Sequence, residues 1–394
     1  MADLNKNKSY VNITGKVKIK ENTFSGVQTS DKTGYKYTRI NLGIDIGNQN
    51  VIYTEMMGGY QPNNPIIYAM SKEDNSAFQV NWADRLNEKI VETVADFRLH
   101  KVGLKRDEEG KLIVKSFLSP IDVADYLKEN LTDGMEVTIR GSFSFSEFNG
   151  ETKRKIDIQN IFLPYQQKEK DEQGNETGNL LPVQYGATFT QSILLTEDSY
   201  KRLKKADKEA GEIIIPAKAV DYVSKKDGKS IKKNLPFAVP ITVKVNQENP
   251  EMTEKILGAL FDVKKGKIRE LTIEGTIIEG YDQQEISDKD IELSAEVQEL
   301  IAMGLYSEEE AKSKMTVRGS KVSKLVFTRP FLQKDRDDAT KLKLDMSDDK
   351  YTPEDLFVQI EEEKKEDSLT DDLNETQVGG EAGDTAWMGA LGIG

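Results

Sequence analysis

Cysteine is absent from this 394-residue chain, and histidine occurs once, at His100. That rules out a disulfide framework, a thiolate metal site, a cysteine nucleophile and a histidine metal cluster. A Ser-His-Asp triad would have to be built on His100, and no Gly-x-Ser-x-Gly elbow accompanies it. Glycine loops of the Walker or dinucleotide type are missing as well. These gaps argue against an enzyme and leave no cofactor or metal to expect. No apolar run approaches the ~18 residues that a membrane span needs. Residues 1–9 are polar and lack the apolar centre of a signal peptide. The expected setting is the cytoplasm, with no membrane partner.

Charge is present in quantity but unevenly placed. The formal net charge is −13, and residues 335–394 alone hold 18 acidic against 6 basic side chains. The body before them is therefore close to neutral. The chain ends in an apolar tip, residues 386–394, that contains Trp387, Met388, Leu391 and Ile393. Residues 353–360 suit a short helical motif, and beyond them the composition predicts disorder. An acidic tail of this kind can mimic a polyanion, occupy a cationic groove of its own chain, and present an apolar end to a partner protein. Nothing about solubility requires a tryptophan there, so the tip is the candidate partner-binding segment.

The body reads as β. Residues 10–20, 35–46 and 51–57 alternate apolar and polar side chains, the mark of half-buried strands. Gly15 falls within the first, where a strand of a small barrel needs a bulge or sharp coil. A helix is predicted over 121–131, opened by Ser119-Pro120 and closed near Gly134. Strands follow at 135–146 and 153–163, around the turn Phe148-Asn149-Gly150. Three strands, a helix and two strands is the order of the OB-fold, a five-stranded Greek-key barrel. Residues 1–165 are read as one such domain, with an insertion of mixed structure at 70–115.

Residues 166–182 are polar and predict a linker or an extended hairpin. The pattern then recurs. Strands are expected at 188–195, 212–216 (stopped by Pro216), 237–245, 267–278 and 320–329, with helices at 198–210 and 252–261. The stretch 267–278 parallels 135–146, glycine included. Residues 183–334 are read as a second OB-like domain carrying an inserted α-hairpin at about 286–315, broken at Gly304. That hairpin either caps the barrel or docks another protein. The expected fold class is mainly β with inserted helices (α+β): two OB-like barrels and a largely disordered acidic tail, residues 335–394.

The alternation that turns Val11, Ile13, Val17 and Ile19 inward turns Lys16, Lys18 and Lys20 outward. In the second strand it leaves Tyr35, Tyr37 and Arg39 opposite Ile40, Leu42 and Ile44. Aromatic rings and cations on one barrel face are what a single strand of nucleic acid needs, with about 1–3 kcal/mol per stacked base and a salt-dependent gain per neutralised phosphate. Arg140, Lys153 and Arg154 add cations from the last two strands. Phe143 and Phe145 share the parity of Val137 and Ile139, and are core unless Gly141 flips the register. The competing reading of exposed strand lysines is protection of the sheet. In the second domain, Lys264, Lys265 and Lys267, with Arg318, Lys321, Lys324 and Arg329, form weaker patches without aromatics.

The strand order, the passage from Gly134 to Ser142 and the acidic tail with its apolar tip resemble phage and bacterial single-stranded DNA-binding proteins. The resemblance implies non-specific coating of single-stranded DNA in replication, recombination and repair. It also implies that the tail recruits replication or recombination proteins, in the host cytoplasm if the chain is phage-encoded, and it allows a homo-oligomer. Two barrels in one chain, and a tip not closed by Pro-Phe, depart from the bacterial pattern. The alternatives are a structural or assembly β-barrel protein of a virion and a protein-interaction adaptor.

Overall fold

The computed structural model describes residues 3–6, 8–47, 50–171, 173–226, 229–283, 293–305, 307, 318–335, 338 and 340–356. It is mostly β. Strands β1 (Ser9–Lys18), β2 (Lys36–Asp45) and β3 (Val51–Tyr60) are followed by helix α1 (Pro120–Asn130), then β4 (Glu136–Phe148) and β5 (Glu151–Phe162). β1 pairs antiparallel with β2, β2 with β3, β5 with β4, and β4 with β1. β3 meets β5 in parallel, so the order β1-β2-β3-β5-β4 closes into a ring. Ile13, Ile40, Leu42, Ile44, Ile139, Phe143 and Ile161 fill it, each with 2% exposure or less. Phe143 and Phe145 are core, and Gly141 does not flip the register.

Two glycines show why the ring closes. The first half of β1 pairs with a strand of the second ring and its end with β2, and Gly15 stands at the change of partner. A Cβ at Gly15 would lie 2.4 Å from the Asp45 carbonyl oxygen. Gly141 faces the bulge in β5 between Ile158 and Asn160, where a Cβ would lie 1.9 Å from the Asp157 carbonyl oxygen. Helix α1 starts at the Ser119 hydroxyl, which accepts from the Ile121 amide at 3.2 Å, with Pro120 in the first turn. Its Val123, Ala124 and Leu127 are buried in the core of the ring.

The second ring repeats the order. Its strands are β6 (Gly186–Leu195), β7 (Glu212–Lys226), β8 (Lys229–Lys244), β9 (Arg269–Gln283) and β10 (Arg318–Pro330), with helix α2 (Pro250–Leu260) between β8 and β9. β8 meets β10 in parallel, and the remaining neighbours are antiparallel. β1 and β6, the equivalent strands of the two rings, pair antiparallel from Ser9↔Gln191 to Thr14↔Gly186. One continuous sheet thus runs through both rings.

Three expectations are corrected. Pro216 does not stop a strand: β7 continues to Lys226, and Pro216 stands opposite Pro240. Neither proline has an amide hydrogen, so this is a non-hydrogen-bonded pair, and Pro236, opposite Val220, shares its parity. The helix expected at 198–210 is confined to Lys205–Ala210, because Tyr200 and Leu203 are buried in the core before it begins. The tail does not begin at 335. Residues 340–356 pack on the second ring, where Met346 pairs with Leu271, and Tyr351 and Leu356 are buried with Leu4, Leu194, Val220 and Ile268.

The polar stretch after the first ring contains the hairpin Lys168–Lys170 with Glu176–Leu180. The first insertion has its own small core of Ile67, Val80, Val94, Leu99 and Leu118. Trp82 ties it down, stacked on Tyr60 at 4.0 Å and covered by Arg85, which binds Asp122 at 2.9 Å. Of the inserted α-hairpin, helix Ala295–Ala302 and the left-handed Gly304 are described, while 308–317 lie outside the described residues.

Candidate nucleic-acid interface

The outer face of β1, β2 and β3 collects the charged and aromatic side chains. Register sets Lys18 beside Gly43 and Gly43 beside Tyr53. A Cβ at Gly43 would meet the Tyr53 ring at 3.3 Å, so the bare glycine gives the ring its place across the strand. Tyr53 is 53% exposed and Met57, further along the same face, 48%. The Lys20 ammonium donates to the Tyr53 hydroxyl at 2.8 Å and lies 5.1 Å from its ring centre. Tyr35 and Tyr37 stack with centroids 6.2 Å apart and planes 11° from parallel. Arg39 is exposed beside the Met57 sulfur at 3.4 Å.

The cations differ in how far they are committed. Lys18 pairs with Asp45 at 2.8 Å, which raises the lysine pKa and lowers that of the carboxylate. Lys16 is exposed but stands in register between Asp45 and Glu136. Lys153 pairs with Glu151 at 2.6 Å near the β4–β5 turn, where Phe148 is 63% exposed. Arg140 is half-buried against the Phe162 ring, and its Nε is buried without a hydrogen-bond partner. Arg154 is corrected: it bonds Glu279 at 2.8 Å and Ser323 at 3.0 Å in the second ring, so it fastens the rings together.

The face thus unites Lys16, Lys18, Lys20, Tyr35, Tyr37 and Arg39, and leaves Arg140, Lys153 and Arg154 apart. Tyr53 and Met57 were missed from the sequence. The parity of Ile52, Thr54 and Met56 pointed to them, because the inward run fixes the outward one. Trp387, Met388, Leu391 and Ile393 lie outside the described residues.

The outer face of the second ring is different. Ile214, Pro216, Ala238 and Pro240 are exposed there. Lys267 pairs with Asp349, Lys324 with Glu212 and Arg329 with Glu274. Three of the seven cations expected to form these patches are therefore held by acids of the chain itself. The side chains of Arg318 and Lys321 lie outside the described ones.

Among the described residues, no group of three or more His, Asp or Glu side chains could hold a metal ion. Among them too, no helix is long and apolar enough to cross a membrane.

No protein-family model matches the chain, and comparison with curated proteins gives no match. Two solved structures are similar to it in part. The wild-type single-stranded DNA binding protein from Thermus aquaticus aligns with a TM-score of 0.28 and 11% identity, covering 69% of this chain and 85% of that one. A deletion mutant of the same protein gives a TM-score of 0.28 and 12% identity, covering 69% and 87%.

Proposed function

We propose that the chain binds single-stranded DNA without sequence preference, along the outer face of β1–β3 in the first ring. The observation that carries this reading is the row Lys18–Gly43–Tyr53 with Lys20 above it and Tyr35, Tyr37, Arg39 and Met57 beside it. Each ring has the strand order of an OB barrel, whose second and third strands form the usual oligonucleotide face. Exposed rings accept bases of any identity, because every base has a stacking face. Lys16, Lys20 and Arg39 neutralise phosphates, and phosphate competes with Asp45 for Lys18. In this reading the second ring is a partner barrel with little contact face of its own. The acidic segment after residue 356 competes for the cationic face, and once displaced its apolar tip recruits a replication or recombination protein.

The test is a fluorescence-polarisation titration of labelled oligo-dT with the full chain at several salt concentrations, with duplex DNA alongside. Binding that weakens with salt and prefers the single strand is expected. Equal affinity for duplex, or no binding at low salt, would end the proposal.

A further inference from the structure

Arg140 stands apart from the β1–β3 face, and its surroundings on the first ring suit an anion. In register it lies between Asn12 of β1 and Asn160 of β5. Beyond Asn160 the row reaches Lys101 of the strand His100–Arg106. The next row on the same side is Thr14, Thr138, Phe162 and Gly103. Ile13 and Ile139, between the two rows, point into the core, so both rows face outward. The Thr14 and Thr138 hydroxyls meet there at 2.8 Å. Neither row contains an acid, and the nearby Asp96 is taken up by Lys101 at 3.1 Å.

Arg140 is half-buried and carries no counter-ion. Its guanidinium lies 5.5 Å from the centre of the Phe162 ring, and its Nε is buried without a hydrogen-bond partner. Burial lowers its pKa, and no carboxylate among the described residues opposes the fall. Arg85, Arg154 and Arg269 are covered at least as well, and each binds a carboxylate at 2.9 Å or less. A partly desolvated charge left without a partner costs stability, so Arg140 is not placed there for the fold alone. Arg98 is a second exception, and it borders the same strand. Gln159, next to Asn160, donates to the Phe97 carbonyl at 3.0 Å, and Arg98 lies over the Phe97 ring.

The neighbours of Arg140 are donors. The Asn160 side-chain oxygen accepts from the Lys101 amide at 2.8 Å, which leaves its NH2 group without a described partner. Asn12 is exposed, and no described bond engages its side chain. A carboxamide therefore stands on each side of the guanidinium, one strand away, at about 5 Å between Cα atoms. Phe162 has room beneath the guanidinium because a Cβ at Gly103 would lie 3.2 Å from its ring. This repeats the placing of Tyr53 across Gly43. A guanidinium fixed on a ring, with amide donors at both flanks, matches the oxygens of a phosphate.

We propose that Arg140, with Asn12 and Asn160, binds a backbone phosphate of the single strand whose bases stack on the β1–β3 face. The proposal rests on the single-stranded DNA reading above and adds to it a second contact on the other flank of β1. β1 joins the two sites: Lys16 follows Asn12 by four residues on the same outward side, ~13 Å along the strand. The phosphate supplies the counter-ion that Arg140 lacks. It is read through charge and geometry, and carries no sequence information.

The experiment titrates the full wild-type chain and Arg140→Gln with labelled oligo-dT of increasing length over a range of salt. Short oligomers that fill only the β1–β3 face should bind both proteins equally. Longer ones should bind the variant about tenfold more weakly at low salt. Their slope of log K against log salt should fall by ~0.7, the loss of one phosphate contact. Arg140→Lys keeps the charge and should keep the slope, while Y53A should lose affinity at every length. Asn12→Asp, at an exposed position, sets a carboxylate opposite Arg140. It should reproduce the loss in long oligomers and raise the melting temperature, and it serves if Arg140→Gln does not fold. Equal affinity and slope at every length, with wild type binding normally, overturns the site. Inorganic phosphate is the second arm. If it raises the melting temperature of wild type and not of Arg140→Gln, while both bind oligo-dT alike, the site takes free phosphate and its place on the DNA path is overturned. Failure of the wild type to bind oligo-dT overturns the functional reading and this contact with it.

Discussion

At the scale of single residues, the interface depends on a tyrosine that lies across a glycine. Tyr53 keeps one side of its ring on the strand at Gly43 and is held at its hydroxyl by Lys20, so the ring is preorganised and its other side is open. A base stacking there gains about 1–3 kcal/mol without ordering the ring first. Tyr53→Ala should therefore weaken oligo-dT binding by roughly tenfold or more, whereas Tyr53→Phe, which keeps the stacking face, should stay near wild type. Full affinity in the alanine variant by fluorescence polarisation would remove Tyr53 from the site. Which residues were legible in the sequence follows from what parity can see. Alternation along β1 and β2 placed the lysines, Tyr35, Tyr37 and Arg39 outward, and it placed Phe143 and Phe145 in the core. It was silent about Arg154, whose partner Glu279 is 125 residues away, because pairing across a ring junction leaves no local signal. For a similar reason parity, which points Arg140 outward, could not show that the Phe162 ring of β5 lies against it.

At the scale of elements, length and punctuation set the limits of what could be read. Proline was taken to end a strand at Pro216, but the rule concerns a missing donor, and a strand that places its prolines opposite one another at non-hydrogen-bonded positions loses nothing. Composition misled more seriously at 340–356. Asp345, Asp348 and Asp349 look like part of an acidic tail, yet they are counter-ions for Lys8, Arg269 and Lys267. Between them and the next turn, Tyr351 is 3% exposed, and its hydroxyl accepts from the Asn5 amide at 3.2 Å. This segment straps the second ring to the start of the chain. Tyr351→Ala should cost about 3 kcal/mol of stability, since it removes a buried aromatic and leaves a cavity among Leu4, Leu194 and Ile268. Chains ending after residue 356 should melt with the full-length protein, whereas chains ending after residue 339 should melt several degrees lower. Equal melting temperatures for the two truncations would show that the strap contributes no stability.

At the scale of the whole molecule, two equivalent strands paired antiparallel give the rings a local two-fold relation, and the charges at their junction give it a pH dependence. Asp157 on β5 lies partly buried beside Glu55 of β3 and Asp221 of β7, with Lys6 close by. Burial, more than the two neighbouring carboxylates, pushes its pKa up to about 6, while a hydrogen bond from Ser144 opposes the rise. The sign follows from proton binding. Folded protein holds this proton more tightly than unfolded chain, whose aspartate titrates near ~4. Between pH ~4 and about 6 the unfolded state sheds the proton first, so this group lowers stability as pH rises, and above about 6 the whole cost is present. Asp157→Asn keeps a side chain able to bond Ser144 and removes the ionisation. It should therefore stabilise the protein by up to ~2 kcal/mol at pH 7 to 8, with the gain shrinking to nothing near pH ~4. Denaturant unfolding across that range checks it. A difference that does not change with pH would mean that Asp157 is not the titrating group. A loss of stability at pH 8 would mean that its charge is needed at the junction by Lys6, which then bridges Asp157 and Asp221 and holds the rings together as Arg154 does from the other side.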